Sequence, residues 1–129
     1  MTLAFWMVLV AAFLPYIGTV YAKFAEGGGK TYNNRAPRAK VDELPPARRR
    51  AYWAQLNGFE AFPPFAAGVI IAHIAGAGGG VTDMLAVAFV VLRVIYTLLY
   101  IYDMATARSA VWSLALLCVI GLFVAAAAA

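Results

Sequence analysis

Charged side chains are scarce in this sequence, since Asp, Glu, Lys and Arg together make up only 12% of its 129 residues. Soluble domains average about 25% charged residues. Here 64% of the residues are hydrophobic, which leaves too little polar surface to face water. The shortage of charge therefore excludes a typical soluble domain and predicts an integral membrane protein whose exterior is covered by lipid.

Cysteine and early basic residues are also lacking. The single cysteine, Cys118, excludes an intrachain disulfide and a thiolate metal cluster, and its apolar neighbours predict a buried, unreactive thiol. No Lys or Arg precedes Lys23, whereas a signal peptide begins with a basic segment. We therefore interpret the first apolar run as a membrane helix, and we expect no metal site.

The apolar runs predict four membrane helices, because each crossing takes about 20 residues and the chain has no room for a second domain. Pro45-Pro46 suits the first turn of helix two, and the GAGGG run at 76–80 ends it. Thr82 or Asp83 is then expected to cap helix three. The predicted fold is an all-α membrane four-helix bundle with up-down topology, which forms a single domain over 1–129. The predicted helices cover residues 2–25, 47–75, 82–103 and 106–127, and a polar loop covers residues 26–46.

Basic residues concentrate in one segment, with eight of the ten Lys and Arg between Lys23 and Arg50. This distribution indicates a cytoplasmic loop by the positive-inside rule, or contact with anionic lipid, rather than a nucleic-acid partner. We expect an integral protein of a bacterial inner membrane that contacts membrane lipid. Both termini would lie on the side opposite the basic loop.

Two ionisable residues fall deep inside the predicted helices. Glu60 lies ten residues past Arg50, about 15 Å along helix two, and Arg93 lies ten residues before Asp103 in helix three. An unpaired charge at such depth costs at least about 2.5–3.5 kcal/mol. We therefore predict a Glu60–Arg93 ion pair, with Asn57 satisfying the remaining donors or acceptors. The alternative is that this pair fixes only helix register and binds no ligand.

Tyrosines and a second arginine extend this polar set. Tyr96 and Tyr100 share a helix face with Arg93; Tyr96 is too deep for an interfacial aromatic belt, whereas Tyr100 fits either a belt or a pocket. Arg108 opens helix four, where a cation opposes the helix dipole, so we expect a compensating anion there. With Arg50 it would form a cationic mouth for an anionic ligand; the alternative is a charge that only sets topology.

Together these residues resemble the MAPEG superfamily, the membrane-associated proteins in eicosanoid and glutathione metabolism. The resemblance rests on the helix-two pattern Asn57-x-x-Glu60-x-x-Pro63, on Arg93-x-x-Tyr96 with Tyr100, and on Arg108-Ser109. It covers helices two to four.

The resemblance implies a homotrimer with pockets between adjacent subunits that open toward the cytosol. It implies glutathione as the cofactor and the activity of a glutathione-dependent transferase or peroxidase. The implied substrates are lipophilic electrophiles, which are small hydrophobic molecules that react at the subunit interfaces. Arg108, which would stabilise the thiolate, and Tyr100 are the implied catalytic residues. The implied glutathione-binding residues are Asn57, Glu60, Arg93 and Tyr96, with Arg50 as an added candidate.

One position departs from the family pattern. Trp53 stands where glutathione-using members usually carry an arginine that contacts a glutathione carboxylate, and Arg50, one turn earlier, is the candidate replacement. Family members that bind lipid without catalysis also exist, so a non-catalytic lipid-binding or scaffold protein is the alternative function, and enzymatic activity stays open. A transporter fits poorly, because neither inverted repeats nor a chain of carboxylates is apparent.

Overall fold

A computed structural model describes residues 1–24 and 33–129, which contain four long α-helices and no strand. A short 3-10 helix at Val41–Glu43 precedes the second of them. The predicted all-α four-helix bundle is therefore confirmed. The predicted end of helix one at Ala25 and residues 26–32 of the polar loop lie outside the described residues. The helices are α1 (Leu3–Phe24), α2 (Pro46–Ile74), α3 (Gly80–Ile101) and α4 (Ala105–Ala128).

Three of the helices, α1, α3 and α4, are long and apolar enough to cross a membrane. Large apolar side chains such as Trp6, Phe13 and Ile17 are exposed along α1, where lipid would cover them. The remaining helix, α2, has 29 residues but a more polar composition, because it contains three consecutive arginines near its start and carries Asn57 and Glu60. The chain is an integral membrane protein whose least apolar helix carries three of the seven predicted site residues, Arg50, Asn57 and Glu60.

Contacts between helix ends show the up-down order. Near the start of α2, Arg48 donates from Nε to the carbonyl of Ala22 near the end of α1, at 2.7 Å. Arg50, also near the start of α2, donates to the carbonyl of Ile101 at the end of α3. The helix α2 is therefore antiparallel to both of its neighbours. The described residues 33–45 of the basic loop and the α3–α4 turn lie at one end of the bundle, and both termini lie at the other.

The start of α3 differs from the prediction that Thr82 or Asp83 caps it. The helix instead follows Gly79, whose φ of 85° is left-handed, and no side chain caps it. The Thr82 hydroxyl donates to the Ala77 carbonyl at 2.5 Å. Asp83 accepts from the backbone N–H of Ala4 at 2.7 Å, so it satisfies a free N–H in the first turn of α1 rather than of its own helix.

All four helices contribute buried side chains to the core, and within it the rings of Phe65 on α2 and Phe89 on α3 stack with centroids 4.0 Å apart. The α2 helix continues through Pro63-Pro64 without a break. On its other side α2 touches α1 closely: a Cβ on Gly18 would lie 2.9 Å from the carbonyl oxygen of Ala51. This contact occupies one face of α2 and leaves its polar face directed toward α3 and α4.

Candidate functional site

Arg93, in the middle of α3, is the most deeply buried charge in the described residues, with 4% of its surface exposed. Its Nη2 donates to Oδ1 of Asn57 on α2 at 2.9 Å. Its Cζ atom also lies 4.1 Å from the ring centroid of Tyr96, one turn further along α3, in a cation–π arrangement. Helical spacing places Tyr96 under the guanidinium, and α2 supplies the hydrogen-bond acceptor.

The predicted direct ion pair between Glu60 and Arg93 is wrong, because the side-chain amide of Asn57 lies between the two charges. Its Oδ1 accepts from Arg93, and its Nδ2 donates to Oε2 of Glu60 at 3.3 Å. An amide offers both an acceptor and donors, so it can satisfy a cation on one side and a carboxylate on the other. Glu60 itself points away from the core and is exposed on the surface of the protomer.

The tyrosines continue this arrangement toward the α3–α4 turn. The rings of Tyr96 and Tyr100 meet edge to face, with centroids 5.7 Å apart and planes at 85°. The Cζ atom of Arg108 lies 4.3 Å from the centroid of Tyr100, and the Trp53 ring approaches the same tyrosine at 6.5 Å. The sequence predicted that an anion would compensate the charge of Arg108. Its partner is instead the negative face of an aromatic ring.

Six of the seven predicted site residues therefore form one continuous set of contacts across α2, α3 and α4. We call this set the polar line. It runs from the exposed carboxylate on α2, through the buried guanidinium, to the arginine at the start of α4. Its members, in order of contact, are Glu60, Asn57, Arg93, Tyr96, Tyr100 and Arg108.

A groove of about 180 Å³ opens beside the first three members of the polar line. Its remaining walls are apolar and come from α2, α3 and α4. Trp112, which is 43% exposed at the rim, was missed by the sequence analysis. It lies four residues after Arg108 and so shares its helix face, which is the signal that could have identified it. The apolar lining consists of Ala61, Pro64, Phe89, Trp112, Ala115, Leu116 and Val119.

Arg50, the seventh predicted residue, points elsewhere. Its Nε and Nη2 both donate to the carbonyl oxygen of Ile101, at 3.0 and 2.9 Å. The last four carbonyls of a helix lack intrahelical partners, and a cation near them also complements the helix dipole. The last turn of α3 contains no basic residue of its own. Arg50 thus closes the end of α3 and is not brought together with the polar line.

The Arg50→Gln variant is expected to lower the free energy of unfolding by about 1.5–3 kcal/mol, because a hydrogen bond from a charged donor is lost. Ligand affinity at the polar line should be unchanged. Thermal unfolding in detergent measures the first quantity, and Arg38→Gln, an exposed loop position with the same charge change, is the control. If the variant keeps its stability but loses ligand affinity, Arg50 is a ligand-binding residue and does not act at the end of α3.

Comparison with known proteins shows which family this chain matches. A family model described as MAPEG family matches residues 3–128, nearly the whole chain. The chain belongs to the MAPEG family. This confirms the resemblance carried by the Asn-x-x-Glu and Arg-x-x-Tyr patterns, and it makes the chain a membrane protein of the superfamily associated with eicosanoid and glutathione metabolism. No curated protein and no solved structure matches it.

Proposed function

We propose that this MAPEG-family protein binds glutathione at the polar line and conjugates its thiol to lipophilic electrophiles that arrive from the bilayer. The observation that carries the proposal is the continuous contact from Glu60 to Arg108 beside a groove with apolar walls. Such an arrangement would offer polar groups to a charged tripeptide and, next to them, apolar walls to its lipophilic partner.

The charges of the polar line complement those of glutathione, which carries two carboxylates and one ammonium group at neutral pH. A guanidinium has five N–H donors, and Arg93 gives one of them to Asn57, so others remain for a carboxylate. The exposed Glu60 carboxylate is a partner for the ammonium group. Such charge-assisted hydrogen bonds are about twice as strong as neutral ones.

Arg108 would supply the chemistry, because the thiolate and not the thiol is the nucleophile. A free thiol has a pKa of about 8.5, and a neighbouring guanidinium lowers it. The thiol proton leaves to solvent, and the Tyr100 hydroxyl donates to the sulfur. With an aryl chloride, the thiolate forms a C–S bond to the ring carbon and chloride departs with the C–Cl electron pair. With a lipid hydroperoxide, two glutathione molecules are oxidised to the disulfide while the hydroperoxide is reduced to an alcohol and water.

The site is proposed to be completed by neighbouring subunits in a homotrimer. A groove of about 180 Å³ is smaller than the roughly 300–1,000 Å³ of pockets that enclose drug-sized ligands. A carboxylate facing acyl chains is also costly, and Glu60 is exposed in the isolated protomer, so a second subunit would both enlarge the groove and shield the charge. The groove would open toward the basic loop, on the cytoplasmic side by the positive-inside rule, with both termini on the other side.

A second function, that of a non-catalytic lipid-binding or scaffold protein, is favoured by one observation. Trp53 replaces the arginine that glutathione-using members usually carry, and Arg50, its candidate substitute, is engaged by the Ile101 carbonyl. Under this reading the apolar groove would hold a lipid chain, and the polar line would only fix the packing of the helices.

Calorimetric titration of the detergent-solubilised protein with glutathione, paired with an aryl chloride conjugation assay, separates the two functions. The first predicts saturable heat and thiol-dependent turnover, both reduced in Tyr100→Phe because the sulfur loses a hydrogen-bond donor. Tyr102→Phe is the matched control, since Tyr102 lies two residues away, is 74% exposed and is outside the polar line. Absence of both heat and turnover in the unaltered protein would favour the second function.

A further inference from the structure

A second cavity, of about 440 Å³, lies where residues 33–45 of the basic loop pack against the end of α1 and the start of α2. We call it the loop cavity. Its described lining comes from the last turn of α1, from loop residues 33–45 and from the first two turns of α2. Those residues are Ala22, Lys23, Asn33, Ala36, Pro37, Ala39, Lys40, Val41, Glu43, Leu44, Pro45, Arg48 and Tyr52.

The loop cavity is separate from the proposed glutathione site. Arg48 and Asn57 are nine residues apart on α2, which is about two and a half turns, so they face opposite sides of the helix. The two cavities share none of the described lining residues. A ligand in the loop cavity would therefore be distinct from a ligand at the polar line, and the inference does not depend on the proposed function.

Cations dominate the charged lining of the loop cavity. Three of its residues, Lys23, Lys40 and Arg48, are basic, whereas Glu43 is the single acidic residue among the described lining. The half-buried Arg48 is held in place because its Nε donates to the Ala22 carbonyl at 2.7 Å. This hydrogen bond engages one of its five N–H donors, and the Tyr52 hydroxyl adds another donor to the lining. Such a set of donors suits a phosphate group.

The position of the loop cavity relative to the membrane identifies where the phosphate would come from. Its floor includes Ala22 and Lys23, at the end of a helix apolar enough to cross the bilayer, so it lies at the depth of lipid headgroups. An apolar groove also runs along one face of α1, with residues spaced i, i+3, i+4, i+7, i+8 and i+11, and it ends at Phe24, the residue that follows Lys23 of the loop cavity. That groove, which can receive an acyl chain, is lined by Phe13, Tyr16, Ile17, Val20, Tyr21 and Phe24.

We propose that the loop cavity binds the phosphate headgroup of an anionic phospholipid, with one acyl chain along the apolar groove of α1. Lys40 and Arg48 contact the phosphate, and Tyr52 donates to one of its oxygens. The bound lipid joins the end of α1, the loop and the start of α2, and thus supports the helix that carries Asn57 and Glu60.

Native mass spectrometry of the full chain in a neutral detergent tests the proposal, with phosphatidylglycerol added at low molar ratio and phosphatidylcholine as the uncharged comparison. The double variant Lys40→Asn with Arg48→Gln removes two cavity cations; asparagine is chosen because Lys40 has a left-handed φ of 63°. Apparent affinity for phosphatidylglycerol should fall about 30-fold, roughly five-fold for each cation, and binding of phosphatidylcholine should be weak throughout.

The matched control is Arg35→Gln with Arg38→Gln, which makes the same charge change in the same loop at exposed residues outside the cavity lining. It should change the affinity less than three-fold, because a neutral micelle with few lipids has no charged surface to attract the loop as a whole. Equal losses in both double variants, or no loss in either, would overturn the proposal.

A single variant and a competition experiment separate loss of lipid binding from loss of folding, and lipid from soluble phosphate. If Arg48→Gln weakens the α1–α2 contact and the double variant unfolds, Lys40→Asn alone is expected to reduce the affinity about five-fold with an unchanged Tm. Glycerol 3-phosphate, which carries the phosphate without acyl chains, should not displace phosphatidylglycerol at millimolar concentration. Displacement by glycerol 3-phosphate would show that the cavity serves a soluble phosphate and would overturn the assignment to lipid.

Discussion

The Arg108→Ala variant is expected to conjugate glutathione to an aryl chloride with kcat/KM reduced about 100- to 1,000-fold, the usual cost of removing one group that stabilises developing or localised negative charge. The physical reason is that Arg108, held over the Tyr100 ring at 4.3 Å, is the cation at the end of the polar line nearest the basic loop. Steady-state kinetics in detergent micelles measure the effect.

Arg108→Lys is the matched control, because it keeps the charge but not the planar guanidinium that stacks on an aromatic face. It should retain more activity than the alanine variant. Loss of the cation–π contact alone costs about 0.5–1 kcal/mol of stability, so both variants should remain folded with a similar Tm. An Arg108→Ala protein with unchanged kcat/KM would remove Arg108 from the catalytic machinery.

The Asn57→Leu variant is expected to lose about 3 kcal/mol of stability, because the buried Arg93 guanidinium would be left with an unsatisfied donor, which costs about 1–3 kcal/mol and more when the group is charged. Glu60→Gln should cost far less, since glutamine keeps an oxygen that can accept from the Asn57 amide and Arg93 does not contact Glu60 directly. Denaturant titration of the two variants in detergent gives the comparison. A larger loss in Glu60→Gln than in Asn57→Leu would contradict the bridged arrangement and support a direct ion pair.

A double variant tests more sharply whether the Asn57 side chain connects Arg93 to Glu60. Asn57→Asp gives Arg93 a carboxylate partner but places a second negative group beside Glu60, and like charges at this distance repel. Adding Glu60→Gln removes the repulsion, so the double variant should be more stable than Asn57→Asp alone. Such non-additivity is expected only between residues in contact. Simple additivity of the two changes would show that the side chains act independently.

The fold could be predicted from the sequence because membrane helices are set by local composition. Apolar runs of about 20 residues predict α1, α3 and α4, and the more polar α2 is bounded by the polar loop and by the glycines at 76–80, which together give four helices in up-down order. Contacts between residues distant in the sequence could not be predicted in this way. Asp83 accepts from Ala4, 79 residues away, and nothing near Asp83 in the sequence signals that partner.

The membership of the polar line could largely be predicted, but its connections could not. Helical rise gives the depth of Glu60 and Arg93, yet equal depth does not determine whether two side chains face each other. Asn57 lies between them because Glu60 is turned toward the exterior while Arg93 is buried. Arg50 shares a helix face with Asn57 by spacing, but the unsatisfied carbonyl of Ile101 engages its guanidinium instead.

A structure determined in lipid with glutathione added tests the central claim most directly, namely that the polar line is a glutathione site. The account predicts three protomers, with the tripeptide beside Arg93 and Glu60, its sulfur near Arg108, and the groove closed by the adjacent subunit. An acyl chain in that groove, with glutathione absent at saturating concentration and Arg108 directed away from it, would contradict the account.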